Sequence, residues 1–260
     1  MSAKHLPLLA LLGIVAACTA PSGGPTSANG ATPAAASSGG KVSTSRDEYG
    51  HRPGARGFST VILDAGHGGE DSGAKSPYTG QYEKNLTLTM VNLVKAELGG
   101  AVKVVLMRDH DMTYDLDKRV EYVNGFDDAI LVSIHFNSVG SASSVAGPEV
   151  YYWRVDSYTL GKRIYQSLAA AVPYHSGNRG LVRRRLRLTR NPWHAAVLIE
   201  CGYLSNPKEA ASIAQADYQR TLAKAIAKGI LAQRAEGDGD LGPLPPPINA
   251  PLSRPTDPRE

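Results

Sequence analysis

The chain has 260 residues, 42% of them hydrophobic and 20% charged, with a formal net charge of +4 and a pI near 9.0. That length allows one or two domains. Only two cysteines are present, one of them in the leader, so an intrachain disulfide in the folded part is excluded; behind an export leader, nucleic acid is a poor partner for the positive charge.

Residues 1–18 carry Lys4 in a short positive region and an apolar run from Leu6 to Ala16, too short to span a bilayer as a permanent helix. The run ends Val15-Ala16-Ala17-Cys18, which resembles the lipobox of bacterial lipoproteins. The resemblance implies cleavage before Cys18 and acylation of its new amino terminus. Thr19 follows where an Asp would retain the protein at the inner membrane, so the expected location is lipid-anchored on the periplasmic face of the outer membrane. Residues 19–56 are rich in Ala, Ser, Gly, Pro and Thr, which bury too little to offset ordering entropy, and are expected to form a flexible tether. Residues 235–260, with Pro243, Pro245, Pro246 and Pro247, read as a disordered tail. Between them, 57–234 is expected to be one domain.

Within 57–234 strand and helix patterns alternate. Ser59 to Asp64 is an apolar strand followed by a Gly-rich loop. Glu83 to Leu98 places Leu86, Met90, Leu93, Val94 and Leu98 at helical spacing, and Gly99-Gly100 stops it. Val102 to Met107 is a buried strand, and Leu116 to Asn124 a short helix with Leu116, Val120 and Val123 on one face. Ala129 to Ile134 and Pro148 to Trp153 are strands, Ser157 to Val172 a helix, Leu181 to Leu188 a strand, and Ala195 to Ile199 the last core strand. Asn206-Pro207 begins one helix, and Tyr218 to Leu231 forms another. Alternating units with wholly apolar strands predict an α/β domain: a mostly parallel or mixed central sheet with helices on both faces.

Three of these strands run into chemistry-bearing residues: Asp64-Ala65-Gly66-His67-Gly68-Gly69, His135-Phe136-Asn137-Ser138 and Glu200-Cys201-Gly202-Tyr203. Ligands of open α/β sheets bind outside the carboxyl ends of the strands, so the three groups are expected to converge there. Two imidazoles need one more oxygen ligand to make an open zinc site, and Glu83, at the start of the first helix, is the candidate. The chain reads as a zinc hydrolase.

These residues carry a family resemblance. Val61 to Ala74 resembles the opening block of the zinc-dependent N-acetylmuramoyl-L-alanine amidases of the type-3 family, with Ala65 where Pro is usual. Glu83 to Leu88 is similar to the second block, Arg108 to Arg119 to the middle stretch, and Ser133 to Ser138 to the third block. Val197 to Asn206 is similar to the last, with Cys201 where Thr or Ser is common. The resemblance covers residues 58–233 and implies a phosphorylase/hydrolase-like fold with peptidoglycan as substrate. It also implies His67, Glu83 and His135 as zinc ligands and Glu200 as the catalytic carboxylate, which would take a proton from water and return it to the leaving amine. The bond cut would join the lactyl group of N-acetylmuramic acid to L-alanine.

Other residues are less determined. Asp64 reads equally as a partner of a ligating histidine's far nitrogen and as a pin for the Gly-rich turn. Asn137 either touches substrate or holds its loop. The Arg183-Arg184-Arg185-x-Arg187-x-x-Arg190 cluster is either a solvated face or a carboxylate-binding surface, with Arg183 the candidate contact. His194 is expected to be structural, and Cys201 a buried small hydrophobe. Some family members carry a helical insertion after the third block that plugs the zinc cleft. Here only about 50 residues separate His135 from the arginine cluster, so a constitutively open cleft is expected. The expected partners are peptidoglycan and, through the lipid anchor, a membrane; the protein is expected to be a monomer.

Overall fold

A computed structural model describes residues 50, 53–140, 143–191 and 193–239. The leader with Cys18, the tether up to Tyr49 and the tail from Asp240 onward lie outside the described residues.

Among the described residues, six strands form one mixed sheet in the order β2-β1-β3-β6-β4-β5. They are β1 (Thr60–Ala65), β2 (Lys103–Leu106), β3 (Ala129–Asn137), β4 (Glu149–Tyr152), β5 (Leu181–Arg183) and β6 (Ala196–Tyr203). The four strands from β2 through β6 in this order are parallel; β4 runs antiparallel to β6, and β5 parallel to β4. β3 and β6 are the two longest strands and lie at the centre, and nearly every side chain on them is buried, which explains their uninterrupted apolar runs.

The helices are α1 (Glu83–Leu98), α2 (Leu116–Asn124), α3 (Tyr158–Ala171), α4 (Pro207–Ile213) and α5 (Ala216–Glu236). One face of the sheet (Val61, Leu63, Ile130, Val132, Val197 and Ile199) packs with α1, α3, α4 and α5 into the main core. α1 buries Leu86, Met90, Val91, Val94 and Leu98, each contributing roughly 1.5–3 kcal/mol. Gly99 ends it in the left-handed conformation, its N–H bonded to Ala96 O. The opposite face has a smaller core, in which Ile62, Leu131 and Ala196 meet Val120 and Val123 of α2. Helices cover both faces, but among the described helices only α2 contributes to that second core.

Several elements differ in extent from their sequence reading. β3 and β6 do not stop at Ile134 and Ile199: the ladder continues through the pairs Ile134↔Ile199 and His135↔Glu200 before a bulge between His135 and Asn137. β5 covers three residues instead of eight, because Arg184–Arg190 folds into turns where Leu186 N donates to Thr189 Oγ1 and Arg190 N to Leu186 O. The packed chain also extends past 57–234 at both ends. Gly50 O accepts from Asp156 N, Gly54 N donates to the Asp238 carboxylate at 2.9 Å, and Gln233 Nε2 donates to Ala55 O at 2.8 Å. No helix among the described residues is long and apolar enough to cross a membrane.

Candidate metal centre

Where β1 leaves the sheet, its backbone carbonyls lose their ladder partners, and two buried arginines take them over. Arg108 donates to Ala65 O (3.0 Å) and Gly66 O (3.0 Å), and Arg119 to Ala65 O (3.1 Å) and His67 O (2.9 Å). Arg119 Nη1 is in turn neutralised by the buried Asp64 at 2.6 Å, whose other oxygen accepts from Ser133 Oγ at 2.7 Å. Asp64 therefore pins the Gly-rich turn through Arg119. Among the described residues its carboxylate bonds Arg119 and Ser133 and no histidine.

The turn so held carries His67 at φ 61°, the one non-glycine residue among those described with positive φ. That conformation costs an L-residue on the order of 1–3 kcal/mol, and such strain concentrates at functional sites. Its effect is to aim the imidazole at α1. His67 Nε2 lies 3.1 Å from Glu83 Oε1, and His135 Nδ1 lies 3.1 Å from the same oxygen. The two rings meet edge to face with centroids 4.9 Å apart. The three ligand atoms all fall within 4.8 Å of one another. The far nitrogen of His67 is held by Asp71 Oδ2 at 2.8 Å, the carboxylate–histidine pairing that fixes a metal-binding tautomer. Sequence reasoning missed Asp71; the only available signal was its place four residues after His67 in a polar loop.

Glu83 is buried and fully engaged. Oε2 accepts from Ala74 N (2.9 Å), and Oε1 from Phe136 N (3.0 Å) as well as facing both histidines. Burial alone would raise its pKa, but the bonds from His135 and His67 outweigh that and hold the carboxyl well below the usual range. Burial likewise disfavours the His67 imidazolium, and Glu83 and Asp71 together overcome it and raise the His67 pKa. An ionised carboxylate set 3.1 Å from a nitrogen of each of two imidazoles, the three ligand atoms within 4.8 Å of one another, fits a divalent ion of zinc's ligand preference. Close packing enforces the arrangement. A Cβ on Gly66 would lie 2.2 Å from His135 Cε1, and one on Gly73, at φ +61°, would lie 2.6 Å from His67 Cδ2 and 2.7 Å from Glu83 Oε2.

The centre opens into a cleft of about 240 Å³, whose walls include Asn137, Tyr151, Arg179, Arg184, Leu198 and Glu200. Residues paired in register on neighbouring strands project to the same face. Glu200 therefore stands beside His135 at a strand spacing of roughly 4.8 Å. Asn137 lines the cleft, while its side-chain Oδ1 accepts from Ser138 N (2.8 Å) and its carbonyl from Leu204 N (2.8 Å), so it also ties its own loop. Arg183 is not among the cleft residues: its Nε donates to Trp153 O at 2.8 Å, and its guanidinium lies 5.2 Å from the Trp153 ring centroid. The cleft arginines are Arg179 and Arg184, one missed by the sequence reading and one within its basic cluster. His194 Nδ1 is buried against Ala129 O at 3.1 Å, and Cys201 is fully buried, where desolvation pushes its thiol pKa well up.

The family described as N-acetylmuramoyl-L-alanine amidase matches residues 61–232 of this chain. The chain is 28% identical over 176 residues to the N-acetylmuramoyl-L-alanine amidase LytC of Bacillus subtilis, covering 66% of this chain but only 35% of LytC. Among solved structures, the catalytic domain of CwlV, an N-acetylmuramoyl-L-alanine amidase from Bacillus (Paenibacillus) polymyxa var. colistinus, superposes with a TM-score of 0.62 at 36% identity. The match covers 66% of this chain and 96% of that one. The N-acetylmuramoyl-L-alanine amidase from Clostridium difficile 630 gives 0.64 at 31% identity, over 68% of this chain and 97% of that one. With the family match spanning all six strands but the first residue of β1, and the solved catalytic domains covered almost whole, this chain belongs to the N-acetylmuramoyl-L-alanine amidase family.

Proposed function

We propose that the domain hydrolyses the amide between the lactyl group of N-acetylmuramic acid and L-alanine in peptidoglycan, at a zinc ion held by His67, Glu83 and His135. The observation that carries this reading is the single oxygen Glu83 Oε1 set 3.1 Å from a nitrogen of each histidine, at the floor of a cleft that also contains Glu200. Zinc, when bound, supplies Lewis-acid activation of water and of the scissile carbonyl. Asp71 keeps the His67 proton on Nδ1 and so leaves Nε2 free to ligate. Glu200, next to His135 in the sheet, accepts the proton of the attacking water on its carboxylate and delivers it to the departing nitrogen of L-alanine. Water adds its hydroxyl to the carbonyl carbon and its proton to the nitrogen, giving a lactyl carboxylate on the sugar and a stem peptide with a free amino terminus.

The cleft is open in this reading. Between Asn137 and Leu181 the described elements are β4, a 3-10 turn at Val155–Ser157 and α3, and α3 packs into the main core with α5, contributing no cleft residue. The leader and Cys18 support a lipid-anchored enzyme of the outer membrane's periplasmic face, acting as a monomer.

Digestion of purified sacculi tests the activity directly. Wild type is expected to release peptides with new L-alanine amino termini, read by mass spectrometry, and chelator or Glu200→Ala to reduce release by at least about 10²-fold. New ends within the stem peptide would instead make the enzyme a zinc peptidase. Cleavage by Glu200→Ala at the wild-type rate would remove Glu200 from the chemistry.

A further inference from the structure

Beside Glu200 lies a charged cluster that the hydrolysis above does not use. Glu149, the cross-strand partner of Glu200 on β4, is fully buried, and four groups converge on its carboxylate. Tyr203 OH donates to Oε1 at 2.5 Å and Arg179 N to the same oxygen at 3.0 Å. Tyr151 OH and Arg179 Nη2 (2.9 Å) donate to Oε2. Arg179 Nη2 also meets the Tyr151 hydroxyl, and its guanidinium stacks 5.4 Å from the Tyr151 ring centroid. Burial would favour a neutral Glu149, but its hydrogen bonds prevail and keep it ionised, while burial and the adjacent Glu149 raise the pKa of both phenols.

A buried carboxylate with this many donors fixes whatever it holds. Tyr203 is 2% exposed, yet the side chain of Arg179 is 53% exposed and lines the cleft together with Tyr151 and Glu200. Glu149 engages Nε and Nη2 of Arg179, and Nη1, with its two N–H groups, stands outside that network. The outcome is a guanidinium clamped from below and stacked on one side, presenting donors to the same small cavity as the metal ligands. Rigid guanidinium donors match a carboxylate, and a site this close to the scissile amide meets only the first residues of the peptide.

We propose that Arg179, positioned by Glu149 and Tyr151, is a specificity residue that binds the α-carboxylate of the second residue of the stem peptide, which is free where that residue is joined onward through its side-chain carboxyl. This rests on the peptidoglycan reading above. It predicts that substrates whose second residue is amidated bind more weakly, because a carboxamide removes the charge and one acceptor.

The experiment uses two muramoyl tripeptides that differ only in carrying a carboxylate or a carboxamide at that position. Their affinities are measured by calorimetry for the zinc-loaded full chain bearing Glu200→Gln, alone and combined with Arg179→Gln or Arg179→Lys. The acid is expected to bind about tenfold more tightly than the amide. Arg179→Gln should abolish that ratio, and Arg179→Lys, which keeps the charge without the planar fork, should leave it intermediate. Because each ratio is taken within one protein, a change in overall stability does not produce it. Absence of a preference, or an unchanged preference in Arg179→Gln, overturns the inference, as does failure to bind either tripeptide. Cleavage of the same tripeptides by wild type is scored separately: a carboxylate preference without cleavage would sink the amidase reading and leave the subsite standing.

Discussion

Gly66 is the position at which one added methyl group should act on the metal centre alone. A Cβ there would sit 2.2, 2.4 and 2.5 Å from His135 Cε1, Nε2 and Nδ1. Carbon atoms in contact settle near 3.5 Å, so the imidazole must retreat by more than about 1 Å. Metal–ligand distances tolerate only about 0.2 Å. The backbone itself accepts alanine, since Gly66 is not among the positive-φ glycines, and the cleft gives the ring somewhere to go. Gly66→Ala is therefore expected to destabilise the metal-free fold by about 1–3 kcal/mol in urea denaturation, because the buried imidazole must give up its bond to Glu83 Oε1. Zinc affinity, measured by competition with a chromogenic chelator, should fall at least roughly tenfold. Amide hydrolysis should fall on the order of 10²-fold, the usual cost of a 1 Å misplacement. A Gly66→Ala protein that holds one zinc at wild-type affinity and turns over at the wild-type rate would refute the placement of His135 in the metal shell.

Further outcomes follow from the same contacts. Asp71→Asn keeps the shape of the partner to His67 Nδ1 but loses its charge, and zinc affinity by the same competition should drop about 10–100-fold, with little change in metal-free stability. The buried Glu209 accepts from the backbone N–H of Gly147 (3.0 Å) and Tyr203 (2.9 Å), but burial outweighs these bonds and lifts its pKa from 4.5 to about 7. The folded state then holds this proton more tightly than the unfolded chain. Its stabilising contribution is complete below pH 4.5 and is lost as pH rises to about 7, a change on the order of 3 kcal/mol. Glu209→Gln, compared with wild type by denaturation across that window, should lack this component of the slope; identical slopes would count against it. Truncation to 57–234 removes the bonds of Gly50, Gly54 and Ala55 to the domain, so that fragment should be about 2–3 kcal/mol less stable than one spanning 50–239, with hydrolysis unimpaired in the longer one.

Local patterns carried much of this architecture into plain view. α1 was readable to the residue because its apolar stripe is interrupted by Gly99-Gly100, where the chain turns left-handed. The central strands were readable as apolar runs, but their ends were not. His135 and Glu200 stay in the ladder although polar, since their side chains face a cleft instead of a core, and an apolar run cannot register that. The convergence of His67, Glu83, His135 and Glu200 on one cleft was legible because strand ends and a helix start deliver them. The shell around them was not: Asp64 acts through Arg119, 55 residues away, and Glu149 gathers Tyr151, Arg179 and Tyr203 from three separate segments. Arg183, the last residue of β5, turns to Trp153, whereas Arg184, the first residue past the strand, lines the cleft, a difference that a run of arginines does not display.

The proposed chemistry requires one ion between two imidazoles and a helix-borne carboxylate. A crystal of the zinc-loaded protein, with anomalous differences recorded on both sides of the zinc absorption edge, is predicted to show a single strong peak bonded by His67 Nε2, Glu83 and His135 Nδ1. No peak there, or one held by other side chains, would contradict it.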